Sequence, residues 1–493
     1  MQYTSTRDSR VAATSAQAIA QGISAEGGLF LPQSMPRLTM EDIARLAALP
    51  YIDRATWVLR QFLTPKGGWA NGEVAACVAG AYTGSFSHPS VAPLRPLNHN
   101  TDVLELFCGP TSAFKDLALQ LLPRLLTASA KKVLGGKEIT VLVATSGDTG
   151  KAALEGFRDV EGTNIAVFYP VEGVSAVQKR QMVSQPGNNV RVVAVEGNFD
   201  DAQTGVKDIF INPALLQAIE AKNQVFSSAN SINWGRVVPQ VVYYISAYCD
   251  LLRAGKIAPG EEINFVVPTG NFGNILAGYF AKEMGLPIAK LICASNQNRV
   301  LTDFLQTGVY DRNRDFYLTS APSMDILISS NLERLLWLAN GHDSAQVAEW
   351  MQQLRTAGRY KIPGALLQKL QKAFAAGACS QAQCAAAIRG AWEQNGYLSD
   401  THTACALHVL EEYRAAGDQT RTVVVSTASP FKFAASVLDA LGLPPANDEF
   451  AALEALEAAT GVSCPAPLQG LREKPVRFPQ VCAPAAMAEY VWF

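Results

Sequence analysis

The sequence predicts an α/β fold built on parallel sheet, from three stretches where a short β-rich run passes through a turn into residues at helical spacing. In the first, ITVLVAT (139–145) meets the glycine-rich SGDTG. KAALEGF (151–157) then takes helical spacing and IAVFYP (165–170) returns as a strand, a βαβ unit. In the second, INFVVP (263–268) reads as a buried strand and TGNFGN (269–274) as a loop. ILAGYFAKEM (275–284) follows as a helix stopped by Gly285 and Pro287, with a further strand at 290–294. In the third, TVVVSTA (422–428) is a β-branched run closed by Pro430 before FKFAASVLDALG resumes helical spacing, so the sheet recurs late in the chain.

The first ninety or so residues differ, with helical stretches at 40–48 and 73–80 set between loops rich in Gly and Pro. Residues 345–395 are rich in Ala, Gln and Lys with little strand signal and read as appended helices. No repeat of fixed period is present.

With 493 residues, 48% of them hydrophobic, the chain can bury the cores of two or three domains. The formal net charge of −2 carries none of the basic excess that a nucleic-acid backbone demands, so no nucleic-acid partner is expected. Residues 1–10 lack the layout of a secretory signal, and no apolar run reaches the roughly 18 residues of a membrane span. The nearest, 237–252, is interrupted by Pro239, Gln240, Ser246 and Asp250 and reads as a buried helix. Nine cysteines without a CxxC pair suit reduced thiols and a cytoplasmic location with no membrane partner. Five histidines, none in an i, i+4 pair beside a carboxylate, show no zinc signature.

Chemistry concentrates in a few segments. FCGPTSAFKDLALQLLPRLL (107–126) opens with turn and cap formers at Gly109, Pro110, Thr111 and Ser112. It then runs apolar through Leu117, Leu121, Leu122 and Leu125, which places Lys115 in the first helical turn. A cation is disfavoured there by the helix dipole. An amine that is partly desolvated beside positive potential has a depressed pKa, and its neutral form attacks aldehydes. The plain alternative is a solvated lysine early in a helix.

TGNFGN lies between a strand and a helix, so its backbone N–H groups and the helix N-terminus can hold a phosphate. Gly270 and Gly273 permit close approach, and Asn271 and Asn274 add side-chain donors. It fits neither a Walker loop nor the dinucleotide fingerprint, and Gly and Asn also serve turns that bind nothing. In SGDTG, Thr145, Ser146 and Thr149 offer hydroxyls and the backbone around Gly147 offers amides, which suits a carboxylate. The alternative is an N-cap made by Ser146 or Asp148. Two anion loops at the carboxyl ends of strands and a primed lysine fit a cofactor phosphate and a substrate carboxylate in one crevice.

These segments resemble the motifs of threonine synthases. GPTSAFKD resembles the lysine motif that carries pyridoxal 5'-phosphate (PLP), SGDTG the substrate-carboxylate loop, TGNFGN the PLP-phosphate loop and STASPFKF (426–433) the C-terminal motif. EGGLFLP (26–32), SANSINWGR (228–236), PSMDI with SSNLERL (322–335) and DTHTA (400–404) are similar to family segments, in the same order. The resemblance implies the tryptophan synthase β-like fold, fold type II of PLP enzymes, with cofactor and substrate between two parallel-sheet α/β domains. The expected division is an N-terminal segment 1–95, a large PLP-binding domain from 96–138 and 226–445 with a helical insertion near 340–395, a small domain 139–225 and a C-terminal segment 446–493.

It further implies that O-phospho-L-homoserine and water give L-threonine and phosphate by γ-elimination and β-hydration. Lys115 would be the Schiff-base lysine and proton shuttle. Gly270, Asn271, Phe272, Gly273 and Asn274 would hold the cofactor phosphate, and Thr427 the pyridine nitrogen. Asp148 stands where related enzymes carry an Asn near the ring hydroxyl. Thr145, Ser146, Gly147, Asp148 and Thr149 would take the substrate carboxylate. Lys151, Lys179, Arg180, Lys207 and Arg236 are candidates for the substrate phosphate, and His402 for a wall of the site.

Two departures stand out. The chain has Ser429 where the family commonly has histidine, and Thr401 where it has proline. A monomer or homodimer is expected. The competing activities are a PLP-dependent phospho-lyase giving a 2-keto acid and, from another class, a non-catalytic nucleotide- or ligand-binding protein.

Overall fold

The computed structural model describes residues 1–145 and 147–493. Two sheets organise it. The six-stranded sheet runs, edge to edge, Phe374–Ala378, Ile288–Ser295, Ile263–Pro268, Thr422–Ser426, Thr101–Glu105 and Leu94–Asn98. Its first five strands are parallel and the last is antiparallel. The five-stranded sheet is wholly parallel and runs Val481–Cys482, Val190–Val195, Thr163–Pro170, Glu138–Ala144 and Gln224–Ser227. Central strands such as INFVVP are buried throughout, as parallel strands covered on both faces by helices must be.

The helix Trp234–Arg253 is buried on nearly every side. It packs against the helices Gly273–Met284, Tyr51–Phe62, Met40–Ala47 and Lys115–Leu119, which explains an apolar run lacking a polar face. None of the described helices is long and apolar enough to cross a membrane. The N-terminal segment pairs Tyr3–Ser5 with Phe30–Pro32, and Arg334 Nε donates to the Phe30 carbonyl at 2.9 Å, tying it to the large sheet's helices.

Most expected elements are present, with informative differences. The strand predicted at 263–268 is Ile263–Pro268, and the helices expected from 151 and 275 begin earlier, as Asp148–Phe157 and Gly273–Met284. The smaller sheet reaches past 225 to Ser227 and takes Val481–Cys482 from the C-terminal segment. The stretch 345–395 is not purely helical. It contains Phe374–Ala378, an edge strand of the large sheet. FAAGA carries almost no β-branched signal, and Gly377 leaves room for Val409 of the helix Thr401–Ala415 to cross it.

The segment after Gly109 forms two helices rather than one, Lys115–Leu119 and Leu122–Val133. Pro123 has no N–H to offer the Leu119 carbonyl, so the ladder breaks there. That carbonyl packs onto Gly156, where a Cβ would overlap its oxygen. Gly156→Ala is therefore expected to destabilise the protein by about 1–3 kcal/mol through overpacking against backbone, read as a lowered urea midpoint with unchanged slope.

Candidate active site

Lys115 opens a helix of only five residues, so its position is set by tertiary contacts. Phe114 N–H donates to the Thr427 carbonyl at 2.8 Å, Ser429 N–H donates to the Ser112 carbonyl at 3.0 Å, and Ala113 and Ala428 form an antiparallel bridge. Asp116 braces the turn, its two oxygens accepting from Thr111 N–H at 2.8 Å and Thr111 Oγ1 at 2.6 Å. Burial pushes the Asp116 carboxyl up to about 6 against those bonds.

The Lys115 amine is 3.4 Å from Asp148 Oδ2 and 3.4 Å from Ser323 Oγ. Burial drives the amine below the usual lysine range, and Asp148 opposes this. Asp148 is held well below the usual carboxylate range. Burial works to raise it, but Lys432, Lys115 and a hydrogen bond from Gln178 outweigh burial.

Ser323 ties three parts of the site together. Its N–H donates to His402 Nε2 at 3.1 Å, and its carbonyl oxygen lies where a Cβ on Gly270 would come within 2.5 Å. His402 Nδ1 lies 2.9 Å from Asp400 Oδ1, and its ring packs on Phe433.

The 269–274 loop is built for close approach. Phe272 is left-handed at φ +61°, and the helix Gly273–Met284 starts without a side-chain cap, leaving its first N–H groups free of intrahelical partners. Ser329 Oγ donates to the Gly270 carbonyl at 2.7 Å and Asn331 N–H to the Asn271 carbonyl at 3.1 Å. Asn274 Oδ1 accepts from both Tyr243 and Tyr244 hydroxyls at 2.7 Å, while its buried Nδ2 has no partner among the described residues. A donor fixed in that way, beside uncapped helix amides, calls for an anion.

The 145–149 loop is only partly as expected. The Thr145 hydroxyl accepts from Gly147 N–H at 3.0 Å and Gly150 N–H at 2.9 Å, so it shapes the loop from within. Gly147 is the N-terminal flank of the helix and its φ of +147° requires glycine. Asp148 is the first helical residue and not a cap. Thr149 is half-buried in the first turn of that helix. Ser146 lies outside the described residues.

Among the candidate cations, Lys179 and Lys207 are exposed, and Arg180 is engaged by the Arg472 and Lys474 carbonyls. Lys151 is buried but paired with Glu155 at 3.1 Å and bonded to Gln185. Arg236 differs. It is 3% exposed, Nη1 donates to the Ala229 carbonyl at 2.5 Å, and Nε has no partner among the described residues. Burial pushes its guanidinium down to about 10. The sequence did not single out Ser323, Gln178 or Lys432. Only their positions within the PSMDI and STASPFKF motifs drew notice to two of them.

Comparison with known proteins decides the family. Residues 2–82 match the threonine synthase N terminus, 103–429 the pyridoxal-phosphate dependent enzyme family, and 403–491 the threonine synthase C-terminal family. The chain belongs to the threonine synthase family. A threonine synthase of Pseudomonas aeruginosa is 40% identical over 447 residues, covering 90% of this chain and 92% of that one. Threonine synthase-like 1 of Macaca fascicularis is 42% identical over 441 residues, covering 88% of this chain. This chain spans 58% of that relative's length. The PLP-bound threonine synthase of Brucella melitensis superimposes with a TM-score of 0.89 at 39% identity, over 100% of this chain and 98% of that one. The expected α/β architecture of fold type II is thus the one present.

The Asn274 amide links the buried tyrosines Tyr243 and Tyr244 to the start of the helix Gly273–Met284. Asn274→Ala removes the acceptor of two buried tyrosine hydroxyls and is expected to cost about 1–3 kcal/mol of stability, measured by chemical denaturation of the cofactor-free protein.

Proposed function

We propose that this protein is a threonine synthase, converting O-phospho-L-homoserine and water to L-threonine and phosphate with PLP held on Lys115. What supports the reading is a buried lysine amine whose pKa burial lowers, an uncapped glycine-loop helix with an Asn274 donor that has no partner among the described residues, and a buried Arg236 whose Nε has none there either. These groups fit the cofactor: Gly270 to Asn274 would receive its phosphate, Thr427 would face the pyridine nitrogen and Asp148 the ring hydroxyl. When bound, PLP supplies the electron sink for carbanion chemistry at the substrate.

The chain's own residues supply the rest. With PLP and substrate bound, the Lys115 amine would serve as the general base for the Cα proton and would carry protons between Cα and Cβ as phosphate departs and water adds. Asp148 and Ser323, each 3.4 Å from the amine, keep it aimed at the crevice through this cycle. Thr149 and the amides of the 147–149 turn would orient the substrate carboxylate, with Thr145 as their internal brace. Arg236 would take the substrate phosphate, the group that distinguishes this substrate from an ordinary amino acid. Thr427 would offer the pyridine nitrogen a hydroxyl and not a carboxylate.

Borohydride reduction of the PLP-loaded protein followed by peptide mass spectrometry is expected to place the pyridoxyl label on Lys115, with none in Lys115→Ala; label on another lysine refutes the assignment. With O-phospho-L-homoserine, threonine is the expected product, and 2-oxobutyrate as the main product favours the phospho-lyase instead. Arg236→Gln is expected to weaken binding of the phosphorylated substrate by about 2–5 kcal/mol, seen as a raised KM with the pyridoxyl label retained. Loss of the label would move Arg236 to the cofactor phosphate.

A further inference from the structure

Lys432 belongs to the short 3-10 turn Pro430–Phe433, and its side chain is wholly buried. Its amine lies 2.7 Å from Asp148 Oδ1 and donates to the Thr111 carbonyl at 3.0 Å. Gln178 Nε2 donates to the same carboxylate oxygen at 2.9 Å, while Oδ2 is left to Lys115 at 3.4 Å. One carboxylate therefore serves two lysines in a desolvated place, and Arg236 adds further positive charge.

Asp116 also attracts Lys432, but from beyond ion-pair distance and with both oxygens accepting from Thr111. Glu155 is paired with Lys151 at 3.1 Å and Arg158 at 2.8 Å. His402 reaches Lys115 only through Ser323. Among the described residues, Asp148 is the one carboxylate within ion-pair distance of either amine. A second uncompensated ammonium there is unfavourable, and both burial and the Lys432 charge work against the protonated form of Lys115. The Lys432 amine has two acceptors at 2.7 and 3.0 Å, whereas the contacts of the Lys115 amine are longer, at 3.4 Å.

We propose that Lys432 is a positioning residue that claims Asp148 through the shorter contact, so that Lys115 is the lysine that releases its proton to solvent and stands as a free amine before the cofactor arrives. The inference rests on the reading of Lys115 as the anchor. It assigns Lys432 no contact with cofactor or substrate. Removing the Lys432 charge would both end its repulsion of Lys115 and leave Asp148 to pair with Lys115 alone. Each change favours the protonated, unreactive amine.

The test uses the full chain freed of cofactor and needs no turnover. Amines are labelled by reductive methylation across a pH series, and the Lys115 peptide is followed by mass spectrometry against exposed lysines. Lys115 is expected to become reactive at lower pH than the exposed lysines. K432M should shift that midpoint upward by about one unit or more, roughly a tenfold loss of labelling at a fixed pH below it. K432R, which keeps the charge, should stay near the wild-type midpoint. D148N, which removes the anion and leaves Lys432 in place, should move the midpoint downward. An unchanged midpoint in folded K432M overturns the proposal. If K432M does not fold, an unchanged or raised midpoint in D148N overturns it. Pyridoxyl label on a different lysine defeats the anchor reading instead, and that result is independent of these midpoints.

Discussion

The placement of the reactive lysine depends on a short antiparallel exchange between residues 112–114 and 427–429. Two backbone hydrogen bonds and the Ala113–Ala428 bridge join a turn near the start of the large sheet to the end of its late strand Thr422–Ser426. A five-residue helix cannot hold itself in water, because nucleating a turn fixes more dihedrals than it gains bonds. The helix Lys115–Leu119 is thus held from outside, at one end by this exchange and at the other by the packing of Leu119 on Gly156. Ser112, left-handed at φ +59°, shows that the turn is bent to suit the exchange.

The same exchange brings charge together from two sheets. Lys115 and Lys432 come from the large sheet's side, and Asp148 opens the helix that follows the strand Glu138–Ala144 of the smaller one. A buried ion cluster of this kind is weak evidence for stability, because desolvation consumes most of the Coulombic gain. Its natural explanation is chemical: the carboxylate and the second amine act in opposite directions on the proton of Lys115. The 269–274 loop is held from a third direction by Ser329, Asn331, Tyr243 and Tyr244, which fix its backbone and the Asn274 amide.

How much of this was legible in the sequence follows from the range of the interactions involved. INFVVP was legible as a strand because it is central, apolar and β-branched, and TGNFGN was legible as a loop because glycine and asparagine mark it locally. FAAGA was not, because an edge strand packed under Val409 needs small residues more than β-branched ones. The helix break at Leu119 was signalled by Pro123, yet a proline near a helix start also reads as an ordinary N-terminal proline. Lys115 stood out through its awkward place relative to the helix dipole and through the family motif. Lys432, four residues beyond Ala428 in a run that reads as helix, carries no local sign that its amine reaches a carboxylate in another part of the chain. Ser323 is hidden for the same reason, since its importance lies wholly in what it touches.

The two departures from the family pattern show how local chemistry can change while the scaffold is kept. Ser429 stands where histidine is common, and its Oγ accepts from Phe431 N–H at 3.3 Å, capping the turn that carries Lys432. A side chain of that size fits the buried corner and fixes the turn. Thr401 stands where proline is common, at the first position of the helix Thr401–Ala415, where an N–H has no intrahelical partner and proline is therefore at home. Threonine gives up the fixed φ but gains a hydroxyl that donates to the Ser320 carbonyl at 2.7 Å. That bond ties the start of the His402 helix to the segment leading into Ser323, so the residue that meets Lys115, Gly270 and His402 is braced from both sides.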